Sequence, residues 1–283
     1  MLDNVLFIVF ALVQFSAGII TIPMYIFGAG LRIIGMTGPA DLLQRKFCWQ
    51  SIGLVGIWIT GAKIIHLESS PLIDRGYILA NHRSWFDFAI DPTISRATSI
   101  ARAMAAIPIG FSGLQSLLER RILFIIRGKS SARDVAKMVS ATLNSNYSDT
   151  TNRVLFFPEG TRRSYDTLAS ADDLERYIRK GLLLTLYQME RGRDAPNMFQ
   201  LQITSNKETV MNEKKCTIVR GTVVRTTLSP PIDPSKFATD ELFLAEIRRV
   251  WYDCYCKTHG NALPATHESS LQPTTLDQIQ LTE

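Results

Sequence analysis

The longest uninterrupted apolar pattern lies at the N-terminus of the chain. Residues 4–31 carry no charged side chain over twenty-eight consecutive positions. With a helical rise of about 1.5 Å per residue, this stretch is long enough to cross a hydrocarbon core of roughly 30 Å. The early charge is Asp3 and not a basic cluster, which favours a retained membrane anchor over a cleaved signal peptide.

A second apolar run covers residues 47–62, which are uncharged over sixteen positions. As a helix it would measure about 24 Å, short of a full span, so a tilted span, a re-entrant arm and an interfacial helix all stay open. Arg32, Arg45 and Lys46 lie between the two runs, and the positive-inside bias puts this connection on the cytoplasmic side. We therefore predict membrane-embedded helices over residues 1–66.

From about residue 70 onward, short runs of branched apolar residues alternate with longer amphipathic stretches. The pattern predicts strands over residues 77–80, 122–126, 154–157, 198–204 and 217–226. It predicts helices over residues 85–90, 111–120, 132–143, 174–190 and 239–257. Such an alternation indicates an α/β domain, a layered sheet that is mixed or largely parallel and flanked by helices. We assign this domain to residues 67–260 and a disordered polar tail to residues 261–283.

Composition and charge narrow the classes of function. The mean hydropathy is slightly positive, +0.06, which agrees with membrane attachment. The formal net charge of +5 fits an anionic membrane surface or a phosphorylated small molecule as partner. A nucleic-acid partner is not expected, because the chain lacks a dense basic stripe with interleaved aromatic residues. Four cysteines without regular spacing do not form a disulfide scaffold.

One candidate catalytic pair follows directly on the strand predicted over residues 77–80. His82 begins a turn there, and Asp87 lies about one turn inside the helix that follows. From this position a carboxylate can accept a hydrogen bond from one imidazole nitrogen and leave the other free to take a proton. The pair therefore suits general-base catalysis. A helix start with a polar histidine and a first-turn aspartate would give the same pattern without chemistry.

A second motif follows the strand predicted over residues 154–157 and reads Phe157-Pro158-Glu159-Gly160-Thr161-Arg162. Its proline and glycine favour a tight turn at the strand end. The turn presents a carboxylate, a hydroxyl and a guanidinium together, and a guanidinium can bind phosphate or carboxylate in a fork. A solvated turn is the alternative for this motif taken alone.

A nucleophilic serine has little support. Residues 110–113 approach the nucleophile-elbow pattern of serine hydrolases, but Leu114 stands where that pattern needs a glycine. The absent elbow and the apolar N-terminus disfavour a soluble hydrolase.

In order and spacing, the motifs resemble the blocks of the lysophosphatidate acyltransferase family of glycerolipid acyltransferases. Residues 81–87 are similar to the first block, NHxxxxD, and residues 157–162 to the third, FPEGTR. Residues 123–127 resemble the second block, with Arg127 in the place of its arginine and Arg121 where the family usually has glycine. The resemblance extends over roughly residues 48–225, and the fourth block is poorly matched.

The resemblance implies a glycerol-3-phosphate acyltransferase-like fold that follows a membrane helical hairpin. It implies transfer of an acyl group from acyl-CoA to the hydroxyl of 1-acylglycerol 3-phosphate, which forms phosphatidic acid. His82 would then deprotonate the acceptor hydroxyl and Asp87 would stabilise the imidazolium. No metal or cofactor is implied, because the thioester of the co-substrate acyl-CoA is already activated.

The resemblance also implies a set of substrate-binding residues. Arg127 and Arg162, with Thr161, would hold the acceptor phosphate, and Glu159 and Gly160 would shape the acceptor pocket. The location implied is the endoplasmic reticulum or a bacterial inner membrane, with the catalytic domain on the cytoplasmic side.

Two other acceptors agree with the same motifs, namely a headgroup-bearing lysophospholipid in a remodelling reaction and glycerol 3-phosphate. A non-catalytic lipid-binding protein on this fold is the alternative from a different class. His82, Asp87, Glu159 and Arg162 are all present, which argues against it, because loss of activity would be expected to remove these residues first.

Overall fold

In the computed structural model, residues 2–44, 50–67, 70–105, 122–126, 129–144, 152–162 and 168–260 are described. Seven strands within these residues form a mixed sheet in the order β1-β9-β6-β2-β5-β3-β4, and β7 and β8 form a separate hairpin. The strands are β1 Lys63–His66, β2 Gly76–Ala80, β3 Thr98–Arg102, β4 Ile122–Ile125, β5 Arg153–Phe156, β6 Met198–Thr204, β7 Met211–Asn212, β8 Thr217–Ile218 and β9 Val223–Leu228.

Helices cover both faces of the sheet. They are α1 Leu2–Ile33, α2 Thr37–Asp41, α3 Gln50–Thr60, α4 Asp87–Ser95, α5 Ala132–Asn144, α6 Lys180–Glu190, α7 Lys207–Val210 and α8 Asp240–His259. The α5, α6 and α8 helices contribute to one core cluster with the sheet. Parts of α1, α3 and α4 contribute to a cluster on the opposite face. The layered α/β class that the sequence predicts is therefore confirmed.

Side-chain alternation along β2 explains why this strand is central. Tyr77 and Leu79 point into the cluster beneath α5, α6 and α8, whereas Ile78 and Ala80 join a cluster on the other face. Every residue of β2 is buried. A strand that is apolar on both faces is typical of the interior of a parallel sheet covered by helices.

The central strands run parallel. The β2 strand pairs in parallel with β5 on one side and with β6 on the other, and β5 pairs in parallel with β3. The β9 strand runs antiparallel to β6 and makes the sheet mixed. The carboxyl ends of β6, β2, β5 and β3 consequently meet at one edge, which is where open α/β sheets place their ligands.

Several predicted elements change their bounds in the structure. The strand predicted over residues 217–226 divides into β8 and β9, because Gly221 takes a left-handed φ of 73° between them. The helix predicted over residues 174–190 begins only at Lys180, after a short 3-10 turn. The helix predicted over residues 111–120 and the tail over residues 261–283 lie outside the described residues.

Two sheet strands are absent from the sequence prediction. The β1 strand is short and mostly exposed, and it belongs to the sheet although the sequence assigns it to the N-terminal membrane segment. The β3 strand has the sequence TSIAR, whose polar residues give no apolar run, yet its first four residues are buried. Neighbouring strands bury these residues, so local composition did not indicate a strand.

The N-terminal helices pack against the domain. Among the described residues, no helix combines the length and hydropathy that crossing a bilayer requires, so the predicted transmembrane hairpin is not supported. In the first turns of α1, Phe10 joins the core cluster of α3 and α4, and Asn4 donates to the Cys216 carbonyl of the β7–β8 hairpin at 3.2 Å. The α3 helix contacts α4 so closely that a Cβ added to Gly53 would lie 2.7 Å from the Ala89 carbonyl oxygen.

Candidate active site

Both sequence motifs lie at the same edge of the sheet. The β2 strand leads into His82 and the β5 strand leads into Glu159, and the two strands are parallel neighbours in which Leu79 lies opposite Phe156. The carboxylate of Glu159 accepts a hydrogen bond from the backbone N–H of His82. The first and third blocks, which are 77 residues apart in the chain, are therefore in direct contact.

The imidazole of His82 is held by a buried carboxylate. Its Nδ1 lies 2.6 Å from Oδ2 of Asp87, and the exposed fractions of the two side chains are 15% and 0%. The ring also stacks on Phe157, with 4.4 Å between ring centroids. A carboxylate at Nδ1 favours the tautomer that carries its proton there, so Nε2 is left as the proton acceptor.

Asp87 is the first residue of α4, and so the helix begins later than the sequence predicts. Its Oδ2 accepts the backbone N–H of Arg83 at 2.6 Å, and both oxygens accept the N–H of Ser84 at 3.2 Å. These bonds close a turn that carries His82 to the carboxylate. The same side chain thus organises the helix start and orients the imidazole.

The turn of the second motif has the backbone that its sequence predicts. Gly160 takes a φ of 67°, a left-handed conformation that favours glycine, and a Cβ added there would lie 2.7 Å from Cδ of Arg179. The Gly160 carbonyl accepts a hydrogen bond from the Arg102 guanidinium, which comes from the end of β3, at 2.9 Å. Arg102 and Arg179 therefore join Arg162 as cations around this turn, and the sequence analysis did not single out either of them.

Arg162 lies beside the first motif and the β7–β8 hairpin. Its guanidinium carbon is 5.8 Å from the centroid of the Trp85 ring, and the guanidinium is paired with the carboxylate of Glu213. The neighbouring Thr161 is half-buried. Arg127, the predicted arginine of the second block, lies outside the described residues.

A buried cation behind the histidine was also missed. The ammonium of Lys207 lies 2.6 Å from Oδ2 of Asp91 and 3.3 Å from Oδ1 of Asp87, and it donates to the Asn81 carbonyl at 2.6 Å. Lys207, Asp87 and Asp91 are fully buried. One signal was available in the sequence. Asp91 lies four positions after Asp87 in a helix with no other charged residue, and a buried carboxylate needs a charged or donor partner.

The charges of this cluster shift one another's ionisation. Burial tends to raise the pKa of the Asp87 carboxyl, but the Lys207 charge and the hydrogen bond from His82 hold that pKa below its ordinary value. Burial raises the pKa of Asp91 to about 6, despite the opposing effect of Lys207. Burial would lower the pKa of Lys207, yet the two aspartates raise it above its ordinary value. Lys207 and Asp87 are therefore charged at neutral pH.

Comparisons with known proteins identify the family of this region and its fold. Residues 63–192 match the model of the family described as Acyltransferase, so the chain contains an acyltransferase domain and the family resemblance of its motifs is confirmed. The matched region runs from β1 through α6 and includes both motifs. No curated protein matches the chain at a significant level.

The fold is also that of a solved acyltransferase. The crystal structure of the 1-acyl-sn-glycerophosphate (LPA) acyltransferase PlsC from Thermotoga maritima matches with a TM-score of 0.61 and 14% sequence identity. The match covers 89% of this chain and 95% of that chain. An identity this low supports the common fold and leaves the substrate to be argued from the site.

Proposed function

We propose that this acyltransferase transfers an acyl group from acyl-CoA to the free hydroxyl of 1-acylglycerol 3-phosphate and so forms phosphatidic acid. The observation that carries the proposal is the 2.6 Å contact between Nδ1 of His82 and Asp87, next to a turn that displays arginine. A general base and a group of cations at one sheet edge suit a hydroxyl acceptor that also bears a phosphate.

In the proposed reaction, Nε2 of His82 takes the proton of the acceptor hydroxyl as its oxygen attacks the thioester carbonyl. A C–O bond forms and the C–S bond breaks, and the proton passes from the imidazolium to the leaving thiolate. Asp87 stabilises the imidazolium while it exists, which is the usual role of a carboxylate behind a catalytic histidine. No acyl-enzyme intermediate and no serine nucleophile are required.

The acceptor phosphate would bind at the arginine-bearing turn. Arg162 extends from this turn toward Trp85, and Thr161 adds a hydroxyl beside it. Glu213 pairs with Arg162, so a phosphate must compete with this carboxylate. We assign Glu159 to the shape of the acceptor pocket, because its carboxylate accepts the backbone N–H of His82.

An assay against several acceptors tests the proposed function. Membranes that contain the protein would be supplied with labelled acyl-CoA and, separately, with lysophosphatidate, headgroup-bearing lysophospholipids and glycerol 3-phosphate. We expect lysophosphatidate to give the highest kcat/KM. A preference for glycerol 3-phosphate or for a lysophospholipid with a headgroup would replace the proposed acceptor, and no transfer to any of them would favour a non-catalytic lipid-binding protein.

Substitution of Arg162 by alanine should raise the KM for lysophosphatidate by about 10- to 100-fold, the size expected when a charge-assisted hydrogen bond is lost. The KM for acyl-CoA should change much less. Initial rates with each substrate varied in turn would measure both constants.

A variant of Glu213, the ion-pair partner of Arg162, tests the same role in the opposite direction. Glu213→Gln removes the competing carboxylate and should lower the KM for lysophosphatidate, whereas Arg162→Ala raises it. Equal effects of Arg162→Ala on the two KM values would argue against a phosphate-binding role.

We further propose that the protein acts at a membrane, with its catalytic domain on the cytoplasmic side. Large apolar side chains are exposed along α1 and on α3, namely Leu2, Val5, Ile8, Leu12, Ile19, Ile20, Ile26, Phe27, Ile33 and Trp58. Exposed apolar surface of this extent is typical of a face that contacts lipid. Such a face would bring the site to the lipid surface from which its acceptor comes.

A charged residue on this apolar face should weaken membrane binding. Ile20 and Phe27 are 69% and 61% exposed, so Ile20→Asp and Phe27→Asp should each lower partitioning into phosphatidylcholine–phosphatidate vesicles by about 10-fold without unfolding the domain. Vesicle flotation measures this partitioning. Leu242→Asp, which changes an exposed leucine on α8, is the control. Unchanged flotation of the two α1 variants would contradict the proposed lipid contact.

A further inference from the structure

A chain of alternating charges runs from the imidazole into the interior of the domain. His82 contacts Asp87, Asp87 contacts Lys207, and Lys207 contacts Asp91. Glu159, on the turn after β5, also acts electrostatically on Lys207. Arg83 follows His82 and Glu208 follows Lys207 in the sequence, and these two residues form an ion pair at 3.5 Å. Within the described part of the chain, His259 also interacts electrostatically with Arg83 and Glu208, and Arg162 with its partner Glu213 lies beside Trp85.

Lys207 contacts Asp87 on the oxygen opposite His82. Oδ2 of Asp87 receives His82, whereas Oδ1 lies 3.3 Å from the Lys207 ammonium. The carboxylate is therefore held at both oxygens, and its rotation about the Cβ–Cγ bond is restricted. Lys207 also donates to the carbonyl of Asn81, the residue before the histidine, so the same ammonium holds both the backbone and the acid of the pair.

Asp91 is in turn fixed from the sheet. Its Oδ1 accepts hydrogen bonds from Gln202 at 3.0 Å and from Thr204 at 3.3 Å, both on β6, and its Oδ2 accepts from Lys207 at 2.6 Å. A buried ion cluster contributes little net stability compared with apolar packing of the same volume. Placement of the catalytic carboxylate of Asp87 explains why charged side chains occupy these buried positions.

We propose that Lys207 is a positioning residue of the active site, which holds the Asp87 carboxylate against His82 while Asp91 balances its charge. This inference deepens the proposed function and rests on it for the role of His82. Lys207 touches Asp87, and Asp91 touches Lys207. Both therefore act through the catalytic pair and not on the reacting atoms.

The proposal predicts opposite effects on the ionisation of the imidazole. Lys207→Met removes a positive charge near His82. Because the loss of this charge favours the imidazolium, the acidic limb of the pH profile of kcat/KM should move to higher pH by about one unit. Asp91→Asn leaves the Lys207 charge unbalanced, and the same limb should move to lower pH. The double variant should return the limb toward its wild-type position. Lys236 is exposed and lies four residues after Ile232, which pairs with Phe199 at the start of β6, the end of the strand opposite the carboxyl edge. Lys236→Met should leave the limb unchanged.

A measurement that is independent of turnover separates this inference from the proposed function. Imidazole NMR titration of the full-length protein follows its four histidines, and a His82 variant assigns the relevant signal. The titration midpoint of this signal should move in the same directions as the rate profile. If the wild type transfers no acyl group, the proposed function fails while the NMR titration still decides the role of Lys207.

Several results would overturn the proposal. They are a folded Lys207→Met variant with a wild-type titration midpoint, shifts of the two single variants in the same direction, and an effect of Lys236→Met as large as that of Lys207→Met. If Lys207→Met fails to fold, Asp91→Asn decides the matter, because it removes the negative charge that is proposed to balance Lys207. A wild-type midpoint in folded Asp91→Asn then excludes the charge coupling from Asp91 through Lys207 to the catalytic pair, which the proposal requires.

Discussion

Replacement of His82 by alanine is expected to abolish measurable acyl transfer from acyl-CoA to lysophosphatidate. General-base catalysis contributes about 10²- to 10⁴-fold to rates of this kind, and alanine removes both the base and the group that Asp87 would stabilise. The loss should fall on kcat, because the arginine-bearing turn that is proposed to bind the phosphate is unchanged. Transfer of labelled acyl chains in membranes measures it.

The protein level and the folded state should not change with His82→Ala, since this side chain lies at the sheet edge and belongs to none of the three core clusters. His66→Ala is a matched control, because His66 is an exposed histidine on the edge strand β1. Normal activity of a well-folded His82→Ala protein would remove the general-base assignment and, with it, the proposed mechanism.

Asp87→Asn should lower kcat by about 10³- to 10⁴-fold, comparable to the loss in a serine-protease triad whose aspartate is changed to asparagine. An asparagine amide can donate to Nδ1 of His82 and so favour the tautomer with its proton on Nε2. In that tautomer the imidazole can no longer accept a proton from the acceptor hydroxyl. Single-turnover rates together with the imidazole ¹⁵N chemical shifts would measure both the rate and the tautomer.

A control variant at a second aspartate distinguishes a catalytic role of Asp87 from a role in helix capping. Asp134 lies in the first turn of α5 and accepts the backbone N–H of Ser131 at 3.2 Å, much as Asp87 accepts backbone N–H groups at the start of α4. Asp134→Asn should therefore leave kcat and the imidazole tautomer unchanged. A similar fall in kcat for both variants would mean that the effect at Asp87 arises from altered folding.

Several features of the fold and of the candidate site follow from short-range patterns in the sequence. The apolar run of β2, the glycine turn at Gly160 and the spacing of His82 and Asp87 depend on residues within a few positions of each other, so they could be inferred from the sequence. Backbone geometry and side-chain direction over such distances follow from local sterics. The α/β class followed from the same local alternation.

The sequence could not show which side chains from distant positions in the chain come into contact. Lys207 is 126 residues from Asn81, whose carbonyl it binds, and Glu213 is 51 residues from Arg162. A lysine after a strand is normally exposed, and Lys207 is buried only because β6 pairs with β2 and delivers it behind Asp87. Strand order depends on packing of the whole domain, which no local pattern specifies.

The apolar N-terminus also separates what the sequence indicates from what the tertiary contacts decide. Its hydropathy and length, read alone, indicated a helix surrounded by lipid, and the helix does form over Leu2–Ile33. That Phe10 packs into the domain core was decided by the cluster around α3 and α4. The sequence by itself thus indicated the helix, the motifs and the spacing of their residues. Only the tertiary structure decided which face of the helix is buried and which charges lie behind the histidine, because both depend on contacts between segments far apart in sequence.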